Sequence, residues 1–343
     1  MLFLFVWLAA LLSGLQATNP AEPAPSVAST KGVIVILARN GDLNGLNRSL
    51  TQFEARFNSK YHYPYVFLND VPFTEAFKTG VKAFISGKAE FGLIPKEHWS
   101  YPSWINVTRA DEARADMSKR RVIYGGSLPY RHMCRYNSGF FFRHPLLKDY
   151  EYYWRIEPNV DFTCDIDSDP FVFMKENGKE YSFTVTLHEY QETIPTLWKT
   201  TQDFVKANPK LLHPENVLKS FLTNADGSYN RCHFWSNFEI ASLNFLRSEA
   251  YLKYFDYLDQ AGGFFYERWG DAPVHSIAVA MFLPKEKIHF FENIGYFHAP
   301  FQNCPSTPEL RLNKNCSCEA KSSFHLHSPC HAKFTSLFAG AKK

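Results

Sequence analysis

The sequence has very little net charge: 37 Lys and Arg against 34 Asp and Glu leave +3 over 343 residues. Without a polybasic field, nucleic acid is not an expected partner. It also has no GxGxxG and no GxxxxGK[ST] stretch, so neither the dinucleotide-binding nor the P-loop reading is supported. No internal repeat or long low-complexity tract interrupts it. Beyond its first residues it has no apolar run of membrane-spanning length. Even the first run, Met1 to Leu12 and on to Ala17, falls short of the ~20 residues of a comfortable span, and no Lys or Arg precedes it. A cleaved signal over 1–17 and a short uncleaved signal-anchor both fit. Either sends the chain into the secretory pathway, and residues 2–16 would supply any membrane anchoring.

Aromatic residues, by contrast, are abundant: 32 Phe, 18 Tyr and 7 Trp. They suit a well-packed core and also provide faces on which sugars stack. The length exceeds that of a typical single core, so one large α/β domain or two lobes is expected. Seven cysteines (134, 164, 232, 304, 316, 318 and 330) fit an oxidising compartment, where six can pair and one is left over. Cys316-Ser317-Cys318 with His325, His327 and His331 also has the makings of a zinc site, but a disulfide-tied tail is the expectation for a secreted chain. Sequons at Asn47, Asn106 and Asn315 allow glycosylation of the protein itself.

Residues 18–31, with their Pro, Ala and Ser, read as a stem. Gly32 to Ala38 is a continuous apolar run and predicts a buried strand. Asp42 is placed to cap a helix carrying Leu43, Leu46, Leu50, Phe53 and Phe57. Tyr63 to Asn69 predicts a second strand, and Thr74 a second cap, before Phe77, Val81, Phe84 and Ile85. This β-α-β-α opening is how parallel nucleotide-binding sheets begin, with ligands bound beyond the strand ends. Further on, Arg109 to Arg121 reads as an exposed helix, Cys134 to Phe142 as a turn feeding an apolar strand, and Tyr181 to Leu187 as one alternating strand. Helices are expected from Pro195 to about Asn208, from Ser248 to Gln260 closed by Gly262-Gly263, and from Asp271 to Leu283. A tail with Cys and His occupies 306–343.

Five stretches carry the polar chemistry. Arg155-Ile156-Glu157-Pro158-Asn159-Val160-Asp161-Phe162-Thr163-Cys164-Asp165-Ile166-Asp167 concentrates carboxylates between aromatic segments, where they need a cation or a paired base. Its Asp165-Ile166-Asp167 has the Asp-X-Asp form of a metal motif in sugar-nucleotide enzymes. Ser127 to Arg135 gathers polar groups, including Tyr130. Cys232 to Ile240 embeds Glu239 among aromatics that include Trp235. Phe264 to Pro273 sets Asp271 at a helix start, where a simple cap is the plainer reading. Ile294 to Pro300 holds His298, alone after a strand. Together they supply carboxylate, imidazole and aromatic groups for one divalent-metal site with a sugar-binding wall.

These blocks are long and nearly unbroken, and from about Gly32 to Pro305 the sequence resembles the fungal α-1,2-mannosyltransferase family, the KTR family or glycosyltransferase family 15. The resemblance implies a GT-A-type nucleotide-sugar transferase fold, a single large mixed-sheet α/β domain over 32–305. It also implies GDP-mannose as donor, a mannosylated glycoprotein or oligosaccharide as acceptor, Mn²⁺, the Golgi lumen as a type II membrane protein, and retention of the α configuration. By the same resemblance Glu157 and His298 hold the metal, Glu239 falls on the position proposed as nucleophile, and Tyr130, Trp235 and Asp271 fall on positions around the donor and acceptor sugars. Tyr130 is expected to be catalytic with Glu239, and Arg155 to bind donor or acceptor with Trp235 and Asp271. Asp165 and Asp167 then become structural or acceptor-side residues, with Cys164 in a disulfide.

Two departures accompany it. The amino-terminal region lacks the basic cytoplasmic tail of a Golgi type II enzyme, and the segment after Cys304 matches none of the quoted blocks. A glycosidase would also use two carboxylates, but would need neither His298 nor a metal nor the nucleotide-binding opening. A non-catalytic carbohydrate-binding relative would be expected to have lost Glu157, His298 or Glu239, and all three are present.

Overall fold

In the computed structural model, residues 30–339 are described. The expected signal or anchor over 1–17 and nearly all of the stem lie outside them. Among the described residues no helix is long and apolar enough to cross a membrane.

The strands in chain order are β1 (Gly32–Leu37), β2 (Tyr65–Asn69), β3 (Ala89–Leu93), β4 (Tyr152–Arg155), β5 (Asp161–Phe162), β6 (Tyr181–Phe183), β7 (Thr186–His188), β8 (Cys232–Phe234), β9 (Glu239–Ser242), β10 (Ile288–Phe290), β11 (Tyr296–His298) and β12 (Phe301–Asn303). Seven of them form one mixed sheet in the order β10-β6-β9-β4-β1-β2-β3. β4, β1, β2 and β3 run parallel, while β9 is antiparallel to both β4 and β6. Alternation in β1 explains why both faces are covered. Ile34 and Ile36 join one core with Leu46, Leu50, Phe53 and Trp154. Val33 and Val35 join the other with Tyr136, Tyr153 and Ile277.

The opening β-α-β-α unit forms as expected, with one change. Asp42 does not cap the Leu43–Phe53 helix through its side chain; its Oδ2 instead accepts the Arg39 N–H at 2.8 Å. Thr74 does cap the Glu75–Lys82 helix, accepting from Phe77 N at 3.2 Å. The Val107–Lys119 and Glu249–Ala261 helices also form, the latter ending on Gly262 at φ 76°.

Two local expectations are corrected. Cys134 to Phe142 is not a turn feeding a strand. It is the second half of the Leu128–Gly139 helix followed by a short 3₁₀ turn over Phe141–Arg143. Ser127 caps that helix by accepting from Tyr130 N at 3.2 Å, and Pro129 suits its first turn. Local capping thus decides a segment whose apolar run read as extended. The alternating stretch 181–187 divides into β6 and β7, which pair with strands of different sheets. Trp235 N donates to Val185 O at 2.9 Å at the break.

The tail is bound into the domain. Disulfides join Cys164 to Cys316, Cys232 to Cys330 and Cys304 to Cys318, leaving Cys134 as a buried free thiol. Clusters of Cys and His at metal-binding distances occur at 164/316/318 and 188/232/330. Every cysteine in them belongs to a disulfide, so none offers the thiolate a zinc ion requires.

Candidate active site

The site lies where β4 and β9 run side by side, with Arg155 in register with Glu239. Arg155 is its central cation. It donates from Nη1 to Asp271 Oδ2 at 2.5 Å and from Nη2 to Glu157 Oε1. Burial opposes its charge, but Glu157, Asp271 and Glu239 outweigh that and raise it well above the ordinary arginine value.

Asp271 is the first residue of the Asp271–Phe282 helix, with Gly270 as the N-cap. The cap reading therefore fails for Asp271. A carboxylate in a first helical turn is still favoured by the helix dipole. Its Oδ2 also accepts from Ser236 Oγ at 2.8 Å. Burial works against ionisation, yet Arg155, His275 and Ser236 hold it below the usual carboxylate range.

Glu239 is fully buried and met by three side chains. Tyr181 Oη donates to Oε1 at 2.6 Å, Tyr153 Oη donates to Oε2 at 2.8 Å, and His275 Nδ1 lies 2.7 Å from Oε1. Glu239, Arg155, Tyr153, Asn137 and Tyr136 border a cavity between the sheet and the Leu128–Gly139 helix.

The polypeptide brings Glu157 and His298 together through a small second sheet. β11 pairs antiparallel with β5, setting Tyr296 opposite Phe162 and Phe297 opposite Asp161. Two residues of the sequence blocks make this approach feasible. Asn159 sits at φ 63°, a left-handed position that asparagine tolerates, and its N–H donates to Gly45 O at 3.1 Å. Gly295 is so close to β5 that a Cβ there would stand 2.4 Å from Cys164 Sγ. His298 Nε2 then comes 3.7 Å from Glu157 Oε2, both side chains being partly exposed. His298 Nδ1 lies 3.3 Å from Ala299 O, an acceptor that fixes the proton there and leaves Nε2 free to bind a metal. With Glu157 Oε1 taken by Arg155, the pair offers one oxygen and one nitrogen to a hard or borderline divalent ion. That donor set fits Mn²⁺, which Glu157 and His298 would hold.

Trp235, half-buried, stands edge-on to His298 with ring centroids 4.9 Å apart. Tyr130 lies in the first turn of the Leu128–Gly139 helix, stacked on Tyr124 at 4.3 Å and beneath the Arg268 guanidinium at 5.2 Å. Burial first, then Cys134, push its hydroxyl well above the usual tyrosine range. Asp165 and Asp167 are not with this group. Asp165 pairs with Arg56 at 2.8 Å, and Asp167 pairs with Lys314 of the tail at 3.2 Å.

Sequence reasoning missed Tyr153, Tyr181, Ser236 and His275. His275 stands four residues after Asp271, one helical turn, and Tyr153 shares a strand face with Arg155. Those spacings were the available signals.

The parallel half-sheet with acidic and imidazole groups beyond its strand ends defines a GT-A-type nucleotide-sugar transferase. More particularly, the family model described as glycolipid 2-alpha-mannosyltransferase matches residues 15–338, and the chain belongs to that family. The match runs well past Cys304, so the disulfide-bound tail is part of the family's own pattern. The chain is 55% identical over 308 residues to glycolipid 2-alpha-mannosyltransferase 1 of Candida albicans, covering 90% of this chain and 72% of that relative. Among solved structures it is similar to core-mannan synthase A (CmsA/Ktr4) from Aspergillus fumigatus in its Mn/GDP form. The TM-score is 0.85 at 42% identity, over 92% of this chain and 87% of that one. The mannosyltransferase Ktr4p of S. cerevisiae in complex with GDP gives a TM-score of 0.86 at 39% identity, over 94% and 87%.

Proposed function

We propose that this chain is a retaining α-mannosyltransferase that moves mannose from GDP-mannose to a mannose-terminated glycan, with Mn²⁺ as its metal. The observation that carries the reading is the meeting of Glu157 and His298 beside the Arg155–Asp271–Glu239 cluster, in a chain of this family. When bound by Glu157 and His298, Mn²⁺ supplies Lewis acidity to the donor's phosphates as GDP departs.

The chain's own residues do the rest. Arg155 holds Glu157 Oε1, which leaves Oε2 facing His298. Asp271 is kept ionised with Oδ2 occupied, so Oδ1 is available to orient a sugar hydroxyl. Glu239 is a buried anion beneath the reacting carbon and stabilises the positive charge that develops there. Tyr130 stays protonated and donates a hydrogen bond across the donor. Trp235 gives the sugars a wall beside His298.

The finer parts of the reading are an α-1,2 linkage, O- or N-linked mannan as acceptor and cell-wall mannoprotein as product. The proposed location is the Golgi lumen, with anchoring through residues 2–16. Three disulfides suit such an oxidising compartment. The experiment is incubation with GDP-mannose, Mn²⁺ and α-methyl mannoside, with NMR of the product. An α-1,2-linked mannobioside whose formation stops in EDTA is expected; hydrolysis alone, a β-linked product or no consumption of GDP-mannose overturns the reading.

A further inference from the structure

His275 lies outside the metal pair and outside the sugar-facing residues, yet it is in direct contact with Glu239. It is 1% exposed on the Asp271–Phe282 helix, one turn beyond Asp271. Its Nδ1 is 2.7 Å from Glu239 Oε1 and its Nε2 is 3.1 Å from the backbone carbonyl of Asn137. A backbone carbonyl can only accept, so Nε2 must carry a proton. An ionised carboxylate also only accepts, so Nδ1 must carry one too. A neutral imidazole cannot satisfy both.

The proton has one alternative home, on Glu239, and the surroundings oppose it. Tyr181 and Tyr153 already donate to the two carboxylate oxygens, which favours the anion. The other groups facing the ring are Asp271 on its own helix, Arg155 on β4 and the Tyr251 ring on the Glu249–Ala261 helix, 6.1 Å away. Burial alone would lower the histidine's pKa, but Glu239 and then Asp271 outweigh burial and Arg155 and raise it above the ordinary value.

We propose that His275 is a positioning residue for the transfer reaction: held as a buried imidazolium between Glu239 and the Asn137 carbonyl, it keeps Glu239 ionised and fixed beneath the sugar. Oε1 then accepts from both His275 and Tyr181, while among the described residues Oε2 accepts from Tyr153 alone. Oε2 is thus the oxygen with capacity left to face the developing cation. The inference rests on the mannosyltransferase reading for its kinetic consequence, but not for the protonation state.

Two measurements test it. In ¹⁵N-histidine-labelled protein at pH 7.5, both ring nitrogens of His275 are expected to carry protons, and Glu239→Gln is expected to abolish that signature. A neutral ring in the wild type overturns the proposal whether or not the protein transfers mannose, while absence of mannosyl transfer with an imidazolium present sinks only the functional reading. In kinetics, His275→Phe is expected to lower kcat about 100-fold, with Kd for GDP in the presence of Mn²⁺ kept within about threefold. His275→Gln, which restores one neutral donor, is expected to recover part of kcat and to shift the acid limb of the kcat–pH profile upward. A purely structural role would weaken GDP binding and kcat together and leave the profile of His275→Gln in place; either result overturns the proposal.

Discussion

His298 Nε2 and Glu157 Oε2 lie 3.7 Å apart although one closes β11 and the other follows β4. The pairing of β5 with β11 makes the connection, and Gly295 permits the close approach. This pair, rather than Asp165-Ile166-Asp167, is the metal site we propose. Glu157→Ala and His298→Ala are expected to abolish Mn²⁺-dependent transfer while thermal unfolding changes little. Asp167→Asn, a surface partner of Lys314, is expected to keep its metal dependence. Titration of Mn²⁺ against transfer rate decides, and a wild-type rate in EDTA would sink the assignment.

Glu239→Gln keeps the size of the side chain but removes its charge. A loss of about 10²–10³ in kcat is expected, as for removal of a preorganised electrostatic group. GDP binding measured by calorimetry should be nearly unchanged. A variant as fast as the wild type would end the catalytic role proposed for Glu239.

Arg135 makes a bidentate ion pair with Asp259 at 2.7 and 2.8 Å, both side chains almost fully buried. It ties the Leu128–Gly139 helix to the Glu249–Ala261 helix. Removing one partner strands the other charge, so Asp259→Asn is expected to cost about 3–5 kcal/mol. Denaturant unfolding measures it, and a cost below about 1 kcal/mol would mean that water reaches the pair.

The Cys232–Cys330 disulfide fastens the Pro329–Ser336 helix beside β7 and β8. Its loss in Cys232→Ala/Cys330→Ala is expected to destabilise the protein by about 2–5 kcal/mol. Limited proteolysis should then cut first in the tail. Unchanged resistance would show that packing of Phe334 against Phe183 and Phe221 suffices.

His132 and His331 are buried, and each has an Nδ1 without a hydrogen-bond partner among the described residues. Burial, with help from Arg135 for His132 and from His325 for His331, lowers both to about 4. Their folded-state values lie below the unfolded value of about 6.5. The stability they contribute is therefore full above that pH and lost as pH falls from about 6.5 toward 4. The melting temperature should decline across that window, and His331→Phe should flatten part of the decline. A decline of wild-type size in that variant would assign the acid sensitivity elsewhere.

Much of the fold was legible where side-chain periodicity and burial agree. The Gly32–Leu37 run, the Leu46/Leu50/Phe53 spacing and the Thr74 cap all occur as read. The errors fell where local chemistry competes with an apolar run. Ser127 and Pro129 start a helix that carries Tyr136 into the core, and the 181–187 strand breaks because its two halves find different partners.

By itself the sequence determined the α/β class, the family and the residue types of the site, because long motifs preserve chemistry independently of distance. Only the tertiary structure decided which of those groups meet. Strand pairing places His298 at Glu157, and the helix begun by Asp271 returns His275 beneath Glu239. The same chain folding sends Asp165 and Asp167 to Arg56 and Lys314. Neighbours along a chain are fixed by covalent geometry, whereas ligation, proton sharing and ion pairing depend on approaches of a few ångströms that only packing can set.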